Sequence, residues 1–441
     1  MHAASSGTSR GRQVAAAVIG NALEWYDFIV YGFLSSIIAR LFFPSDNEYT
    51  SLLMALATFG VGFFMRPVGG VLLGLYADRK GRKAAMQLII SLMTVAIAII
   101  ALAPDYAAIG IGAPVLIVFA RMLQGFATGG EYASATAFLV ESAPANRRGL
   151  YGAWQLFGQC LAVFAGAGMG ALVTHTLAPE ALDAWGWRVP FIVGLLIGPV
   201  GLWMRRHMEE TEAFLDASQP NAEKPAGLLD VLRQNRRGVL VTMGSTISGT
   251  VTFYVMLVNM PTFASRQLGL PLDQVFIVQM LAVALMTLII PLAGYLSDRI
   301  GRRPVLFAGN LAFFLLVYPM FVWVTAAPSL ERLLAMQLLL CAIIGVCFGP
   351  SPTAMAEQFP TRVRSTGLAL AYNVSVMLFG GFAPFIVTWL TKVGGTPVAP
   401  AYYVLFTTLI GLVSTYYLRE QAPAVLERQR IAPLASTSRS I

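Results

Sequence analysis

Twelve long apolar segments constrain the fold of this chain more than any other feature of its sequence. Each one is about as long as the roughly 20 residues that a helix needs to cross a bilayer. Hydrophobic residues make up 57% of the chain and charged residues 12%, whereas about 25% of a soluble domain is charged. The sequence therefore predicts an all-α membrane protein with twelve transmembrane helices. The predicted spans are residues 14–42, 52–76, 84–103, 113–140, 150–174, 187–204, 239–263, 274–296, 304–326, 333–356, 366–391 and 400–418.

A duplicated motif divides these spans into two sets of six. The sequence GLYADRKGRK at 74–83 recurs as GYLSDRIGRR at 294–303, at the corresponding place of the second set. We therefore expect an N-terminal six-helix half over 1–204, a cytoplasmic linker over 205–237, and a C-terminal half with a short tail over 238–441. Parallel six-helix halves are typical of transporters that bind substrate between the halves, near the middle of the membrane.

Two kinds of charged motif at matching places in the halves are candidates for a gate. An Asp at the end of a helix can lie against the positive N-terminus of a neighbouring helix. The Arg residues that follow can pair with an acid, and the fourth and tenth spans each end in an acid followed by Arg at the same spacing. Such contacts would join the halves in one state and release them in another. The gating candidates are Asp78, Arg79, Arg82, Glu141, Arg148, Asp298, Arg299, Arg302, Glu357 and Arg364.

The distribution of Lys and Arg between the spans predicts the orientation of the chain. Most of the 30 Lys and Arg residues lie in the termini, the linker and the loops on the same side as the repeated motif. We therefore expect both termini to be cytoplasmic. The net charge of +8 then follows from topology, and nucleic acid is not an expected partner.

Ionisable residues inside predicted spans are functional candidates, because a charge in the membrane is costly. The spans of the first set carry five of them, whereas those of the second set carry none away from their ends. At 1.5 Å per residue, Arg66 lies roughly 18 Å from the end of its helix at Asp78, near the middle of the bilayer. The five residues are Glu24, Asp27, Arg66, Arg121 and Glu131.

Two roles can be assigned among these charges. A carboxylate substrate needs a fixed positive partner, and guanidinium binds carboxylates through two parallel hydrogen bonds, so Arg66 and Arg121 are candidates for substrate binding. Proton coupling needs an acid that can gain and lose a proton, and Asp27, Glu24 and Glu131 are the candidates. A permanent buried ion pair that only fixes helix register is the alternative for each residue.

Uncharged polar residues within the spans complete the set of candidates. They would donate hydrogen bonds to the substrate or, alternatively, join neighbouring helices, as polar side chains in membranes often do. The substrate-binding candidates of this kind are Asn21, Tyr31, Gln124, Gln155, Gln159, Tyr254 and Asn373. Ser245, Ser248, Asn259 and Tyr372 are further candidates for the C-terminal wall of the site.

Several function classes have no support in the sequence. There is no phosphate-binding loop of the form GxxxxGK[ST], and no nucleophile–base arrangement can be assembled from the buried residues, so we do not expect an ATP-driven pump or an enzyme. The three cysteines lie inside apolar runs, which disfavours a metal site or a disulfide framework. We expect no cofactor and no metal, a monomer, and a small organic acid, a proton and the lipid bilayer as partners.

Several motifs resemble those of a known superfamily. The repeated DRxGR sequence and RMLQG at 121–125 resemble the major facilitator superfamily. Within it, GNALEWYDF at 20–28, RPVGG at 66–70, GGEY at 129–132 and WGWRVPF at 185–191 resemble the metabolite:proton symporter family. IARLFFP at 38–44 and EETEAF at 209–214 are most similar to its citrate branch.

This resemblance implies a proton-coupled secondary symporter in the inner membrane of a bacterium. Members of the family take up citrate and other di- and tricarboxylates, α-ketoglutarate, shikimate, or zwitterionic osmolytes such as proline and betaine. The expected function is import of a small organic acid, citrate or another di- or tricarboxylate, by alternating access. The alternatives are the same mechanism with α-ketoglutarate, shikimate or an osmolyte, and a non-transporting receptor or channel.

Overall fold

The number and length of the helices agree with the expected spans. The computed structural model describes residues 10–80, 82–206 and 233–427. Within these residues, ten helices are long and apolar enough to cross a membrane. The bent helix pair Val18–Phe33 and Ser35–Phe42, which meet at 65°, lies where the first span is expected, and the shorter apolar helix Gln87–Leu102 lies where the third span is expected.

The first half comprises the described residues before 207. Its fourth span is interrupted at Gly129 and Gly130, where one helix ends and the next begins. The helices are α1 (Arg10–Phe33), α2 (Ser35–Phe42), α3 (Glu48–Lys80), α4 (Arg82–Leu102), α5 (Tyr106–Ile109), α6 (Gly112–Thr128), α7 (Glu131–Glu141), α8 (Arg148–Thr176), α9 (Pro179–Ala181), α10 (Arg188–Gly194) and α11 (Ile197–Arg206).

The second half comprises the described residues from 233 onwards. Two of its spans contain one turn of π-helix, at Tyr254–Val258 and Val376–Gly380, a distortion that is frequent at functional sites. The helices are α12 (Arg236–Phe253), α13 (Met260–Leu268), α14 (Leu272–Ile300), α15 (Arg302–Ala326), α16 (Leu330–Phe348), α17 (Ser351–Ala356), α18 (Arg364–Ser375), α19 (Ala383–Gly394) and α20 (Ala399–Tyr417).

Glycines bring helices α3 and α6 into backbone contact. A Cβ atom at Gly125 would lie 1.7 Å from the carbonyl oxygen of Gly62, and one at Gly69 would lie 1.8 Å from a backbone oxygen of α6. Because no side chain fits at either position, only glycine permits this approach. The contact holds Arg66 on α3 and Arg121 on α6 in adjacent helices of the first half.

The two halves also meet directly along α8 and α14. A Cβ atom at Gly294 of α14 would lie 2.6 Å from the carbonyl oxygen of Gly149 in the first turn of α8. This contact lies at the end of the helix bundle that holds Asp298 and Arg302, called the motif end below. The other end of the bundle is called the opposite end.

Most of the predicted linker 205–237 lies outside the described residues, as do residues 1–9 and the tail from 428 onwards.

Candidate functional site

Three of the five charged candidates line one small cavity in the first half. Helices α1, α3, α6 and α7 enclose a volume of about 10 Å³, which is room for about one water molecule. The cavity is far smaller than a metabolite, so the site is closed around its own side chains in this conformation. Its lining residues are Asn21, Glu24, Trp25, Phe28, Arg66, Thr128, Glu131 and Tyr132.

Arg66 is held in this cavity by aromatic rings. Its side chain is 2% exposed, and its guanidinium carbon lies 4.2 Å from the ring centre of Phe63, 5.2 Å from that of Phe28 and 5.4 Å from that of Trp25. Such cation–π contacts stabilise a buried guanidinium without using its N–H donors. Among the described residues, its Nε atom has no hydrogen-bond partner.

Asp27 and Arg121 form a second buried site, adjacent to the first. Both residues are 0% exposed, and Arg121 Nη1 lies 3.7 Å from Asp27 Oδ2. The side-chain amide of Gln124 bridges the two charges. Arg121 Nη1 donates to its Oε1 at 2.6 Å, and its Nε2 donates to Asp27 Oδ2. Protonation of Asp27 would remove the counter-charge of Arg121 and change the acceptor that Gln124 uses.

Aromatic rings also surround Arg121. Its guanidinium carbon lies 4.4 Å from the ring centre of Tyr31, 4.5 Å from that of Phe28 and 5.1 Å from that of Phe59. The Tyr31 hydroxyl donates to the carbonyl oxygen of Ala55 at 3.2 Å. Tyr31 therefore packs against Arg121 and is not part of the lining of the cavity that holds Arg66.

Asn21, Gln155 and Gln159 connect less directly to the charged residues. Asn21 Nδ2 donates to the carbonyl oxygen of Gln155 at 2.8 Å, which joins α1 to α8 at the edge of the cavity. Gln159 is buried and is not part of the cavity lining.

The second half covers the site with uncharged side chains. The ring of Tyr254 packs edge-on against Phe59 and Phe63, with centroid distances of 5.7 and 5.5 Å. Asn373 Nδ2 donates to the carbonyl oxygen of Gly129 at 2.6 Å. Its neighbour in sequence, Tyr372, also interacts electrostatically with the guanidinium of Arg66.

A pair of stacked tyrosines joins the halves beside the cavity. The ring of Tyr372 lies 3.7 Å from that of Tyr132, centre to centre, with 6° between their planes. Ser245 and Ser248, in contrast, line a separate cavity of about 30 Å³ inside the second half.

The sequence predicts the charged residues, but it does not single out Trp25 or Phe63. Trp25 directly follows the buried Glu24, and Phe63 lies about one turn before the buried Arg66. This closeness in sequence to a buried charge is the signal that could have identified the two rings.

At the motif end, Asp298 lies against the N-terminus of α8. Its carboxylate accepts hydrogen bonds from the backbone N–H groups of Gly149 at 2.8 Å and Leu150 at 3.0 Å. The partial positive charge of a helix N-terminus stabilises an anion there. Arg302 Nη1, 2.8 Å from Asp298 Oδ1, holds the carboxylate from the other side.

Glu357 extends this network within the second half. Its carboxylate lies 3.4 Å from Arg302 Nε, just beyond the span Leu330–Ala356. Burial raises the pKa of the Glu357 carboxyl above its usual value, and the Arg302 guanidinium opposes that rise. Arg302 thus favours the charged form of Glu357, whereas burial disfavours it.

Further contacts at this end cross between the halves. Arg364 Nη1 lies 2.8 Å from Glu141 Oε1, and the Thr353 hydroxyl donates to the carbonyl oxygen of Arg148 at 2.8 Å. The exposed Arg299 contacts the hydroxyl of Tyr295 on its own helix. The side chains of the remaining gating candidates, Asp78, Arg79 and Arg82, lie outside the part of the chain that is described.

Contacts also cross between the halves at the opposite end. Arg266 Nη2 lies 2.8 Å from Glu48 Oε1, and its Nε donates to the hydroxyl of Ser36 at 3.1 Å. The Tyr49 hydroxyl donates to the carbonyl oxygen of Thr388 at 3.2 Å. Because the halves touch at both ends, the structure corresponds to an occluded conformation.

Sequence comparison identifies the family. The model of the "Sugar (and other) transporter" family matches residues 13–230 and matches again over 206–428. The chain belongs to this family of the major facilitator superfamily. The two successive matches agree with the internal repeat, and together they cover most of the chain. The fold and the superfamily expected from the sequence are thus confirmed.

Curated relatives cover almost the full length of the chain. The citrate-proton symporter of Klebsiella pneumoniae is 36% identical over 97% of this chain and 96% of its own length. The α-ketoglutarate permease of Escherichia coli is 36% identical over 91% of this chain and 92% of its own length. The proline/betaine transporter of the same organism is 34% identical over 93% and 84%.

Solved structures share the fold at low identity. A D-xylose-proton symporter superposes with a TM-score of 0.72 at 18% identity, covering 93% of this chain and 98% of that one. An inward-open form of the xylose transporter XylE from E. coli gives a TM-score of 0.70 at 18% identity, covering 92% and 95%.

Proposed function

We propose that this protein is a proton-coupled symporter that imports citrate or another di- or tricarboxylate by alternating access. It would act as a monomer in the inner membrane of a bacterium, with both termini and the motif end in the cytoplasm. Residues 1–204 and 238–441 would move against each other, joined by the linker 205–237. Near full-length similarity to a citrate-proton symporter supports both the substrate class and the coupling ion.

The observation that carries this proposal is the placement of Arg66 in the cavity. The guanidinium is buried and stacked on rings, and it shares the cavity with Glu24 and Glu131. Aromatic rings contact the guanidinium without accepting hydrogen bonds from its N–H groups in the way a carboxylate does, and the edge of a guanidinium suits bidentate binding of a carboxylate. A substrate carboxylate would compete with these two acids for the guanidinium, so protonation of an acid and binding of substrate would favour each other.

Asp27 is the second place for a coupled proton. It is fully buried, and its contacts are with Gln124 and Arg121. When it is ionised, it neutralises the guanidinium of Arg121; when it is protonated, that guanidinium is left without its counter-charge. The difference gives the two protonation states different packing preferences, which is what coupling to a conformational change requires.

The ion pairs at the motif end would act as the cytoplasmic gate. Asp298 and Arg364 each contact the first half, so both contacts must break before the halves separate at that end. The contact of Arg266 with Glu48 would serve the same purpose at the periplasmic end.

A zwitterionic osmolyte is the second candidate substrate. Three aromatic rings stand around Arg66, and aromatic rings also bind quaternary ammonium groups. Betaine carries a carboxylate for the arginine and an ammonium group for rings such as Trp25. A proline/betaine transporter is among the relatives.

Uptake into proteoliposomes under an imposed inward pH gradient tests these alternatives. The panel is labelled citrate, tricarballylate, malate, α-ketoglutarate, shikimate and betaine. We expect one di- or tricarboxylate to accumulate and a protonophore to abolish its accumulation. Accumulation of betaine or shikimate alone would replace the proposed substrate class, and no accumulation of any compound under the gradient would refute proton symport.

A further inference from the structure

The ring of Phe28 contacts both buried arginines. Its centre lies 5.2 Å from the guanidinium carbon of Arg66 and 4.5 Å from that of Arg121. Among the described cation–ring contacts, the rings of Trp25 and Phe63 lie over Arg66 alone. Phe28 is thus the ring that contacts both Arg66, the proposed substrate-binding arginine, and Arg121, the arginine that pairs with Asp27.

Phe28 also borders both sites. It follows Asp27 directly in α1, and its side chain lines the cavity of Arg66. Asp27 itself is 0% exposed, and it is not part of the cavity lining. Phe28 therefore lies at the boundary between the cavity and the Asp27 site, and its apolar ring offers no group that could carry a proton between them.

We propose that Phe28 is a positioning residue that couples protonation of Asp27 to the placement of Arg66. This inference rests on the proposed proton symport. Protonation of Asp27 removes the charge that lies 3.7 Å from Arg121, so the guanidinium depends more strongly on its rings. An aromatic face attracts a cation, so movement of Arg121 moves the Phe28 ring. Movement of that ring in turn moves the guanidinium of Arg66, which it also contacts.

A purely structural role for Phe28 makes a different prediction. Every buried phenylalanine in this cluster contributes packing, and replacing any of them by Leu removes a ring while filling much of the same volume. Phe59 lies over Arg121 at 5.1 Å, and Phe63 lies over Arg66 at 4.2 Å. Both are 0% exposed, so Phe59→Leu and Phe63→Leu are matched controls that each remove the ring contact of one arginine and leave the shared ring in place.

The experiment compares five proteins in proteoliposomes: wild type, Phe28→Leu, Phe28→Tyr and the two controls. Labelled citrate reports exchange at equal pH and accumulation under an inward pH gradient, and a trapped pH dye reports proton leak without substrate. All three Leu variants remove a ring from a buried arginine, so we expect exchange to fall in each of them, and in Phe28→Leu by no more than about threefold beyond the controls. We expect its accumulation to fall at least about tenfold below theirs, its proton leak to rise, and its citrate KM to lose most of its pH dependence. Phe28→Tyr, which keeps the ring, should restore the accumulation.

The outcomes separate this inference from the proposed function. If wild type does not accumulate citrate or any other compound of the panel under the gradient, proton symport itself is wrong, and the inference falls with it. If wild type accumulates substrate but Phe28→Leu matches Phe59→Leu and Phe63→Leu in accumulation, leak and pH dependence, the inference is overturned while the symporter stands. Equal losses of exchange and accumulation in Phe28→Leu, without restoration by Tyr, would assign Phe28 a packing role only.

Discussion

The buried charges of the two halves lie at different depths. In the first half, Glu24, Asp27, Arg66 and Arg121 are buried in the middle of α1, α3 and α6. Among the described residues of the second half, the buried charged side chains all belong to the motif end: Asp298, Arg302, Glu357 and Arg364. The halves are therefore similar in architecture and different in chemistry.

We infer from this difference that the two halves have different roles. Charges in the middle of a span can bind an ionic ligand or a proton, whereas charges at a helix end can join the halves. The uncharged wall formed by Tyr254 and Asn373 of the second half covers the site without a competing ion. When the halves separate, substrate and proton would remain with the first half until they are released.

Replacing Arg66 should have the largest effect. Removing one partner of a buried charge interaction costs about 2–5 kcal/mol, so we expect Arg66→Leu to lower kcat/KM for citrate about 30-fold or more. Arg66→Lys should recover only part of the loss, because Lys keeps the charge and loses the planar fork. Steady-state uptake of labelled citrate measures both variants. Full activity of Arg66→Leu would mean that the carboxylate binds elsewhere.

Breaking the proposed gate in the second half should slow transport without removing the proposed binding site. Arg302→Met removes the contacts to Asp298 and Glu357 and leaves two buried acids side by side, so we expect an uptake rate about tenfold or more lower with citrate affinity within threefold. Spin labels at the exposed positions Ala145 and Ile300 should report a larger population that is open at the motif end. Arg266→Gln at the opposite end is the control, and it should shift the population the other way.

The contact between Glu141 and Arg364 should contribute less, because Glu141 is partly exposed and exposed ion pairs are weak. We expect Arg364→Glu to reduce uptake about threefold to tenfold, since it places two acids together where the halves meet. The exchange Glu141→Arg with Arg364→Glu should recover most of the rate. No recovery in the double variant would show that the two residues act separately.

Removing the Tyr254 hydroxyl should have the smallest effect. The ring packs against Phe59 and Phe63, and Tyr254→Phe keeps that packing. A hydrogen bond to a ligand contributes about 0.5–1.5 kcal/mol, so we expect the KM for citrate to rise no more than about tenfold with kcat unchanged. Loss of transport in Tyr254→Phe would place essential chemistry in the second half and contradict the division between the halves.

Much of this arrangement could be predicted from the sequence, because membrane burial leaves strong signals. Long apolar runs predict the spans, and the repeated motif predicts two halves. The rarity of charges in spans identifies Glu24, Asp27, Arg66, Arg121 and Glu131 as candidates. Spacing alone could not show that these residues divide into two sites, since pairing across helices depends on how α1, α3 and α6 pack.

Other features depend on tertiary contacts that no local pattern records. Aromatic residues are common in every span, so the sequence does not distinguish Phe28, which contacts two arginines, from rings that only fill space. The same is true of the polar candidates. Gln124 bridges two charges, whereas Ser245 and Ser248 face a cavity within the second half.

The most direct test of proton coupling at Asp27 compares two modes of transport in one variant. Asp27→Asn preserves the size of the side chain and removes its ability to ionise. In proteoliposomes, we expect this variant to lose accumulation of citrate under an inward pH gradient and to retain citrate exchange at equal pH within about threefold of wild type. Accumulation at the wild-type level would contradict a proton site at Asp27, and parallel loss of exchange would show that Asp27 is needed for binding or folding instead.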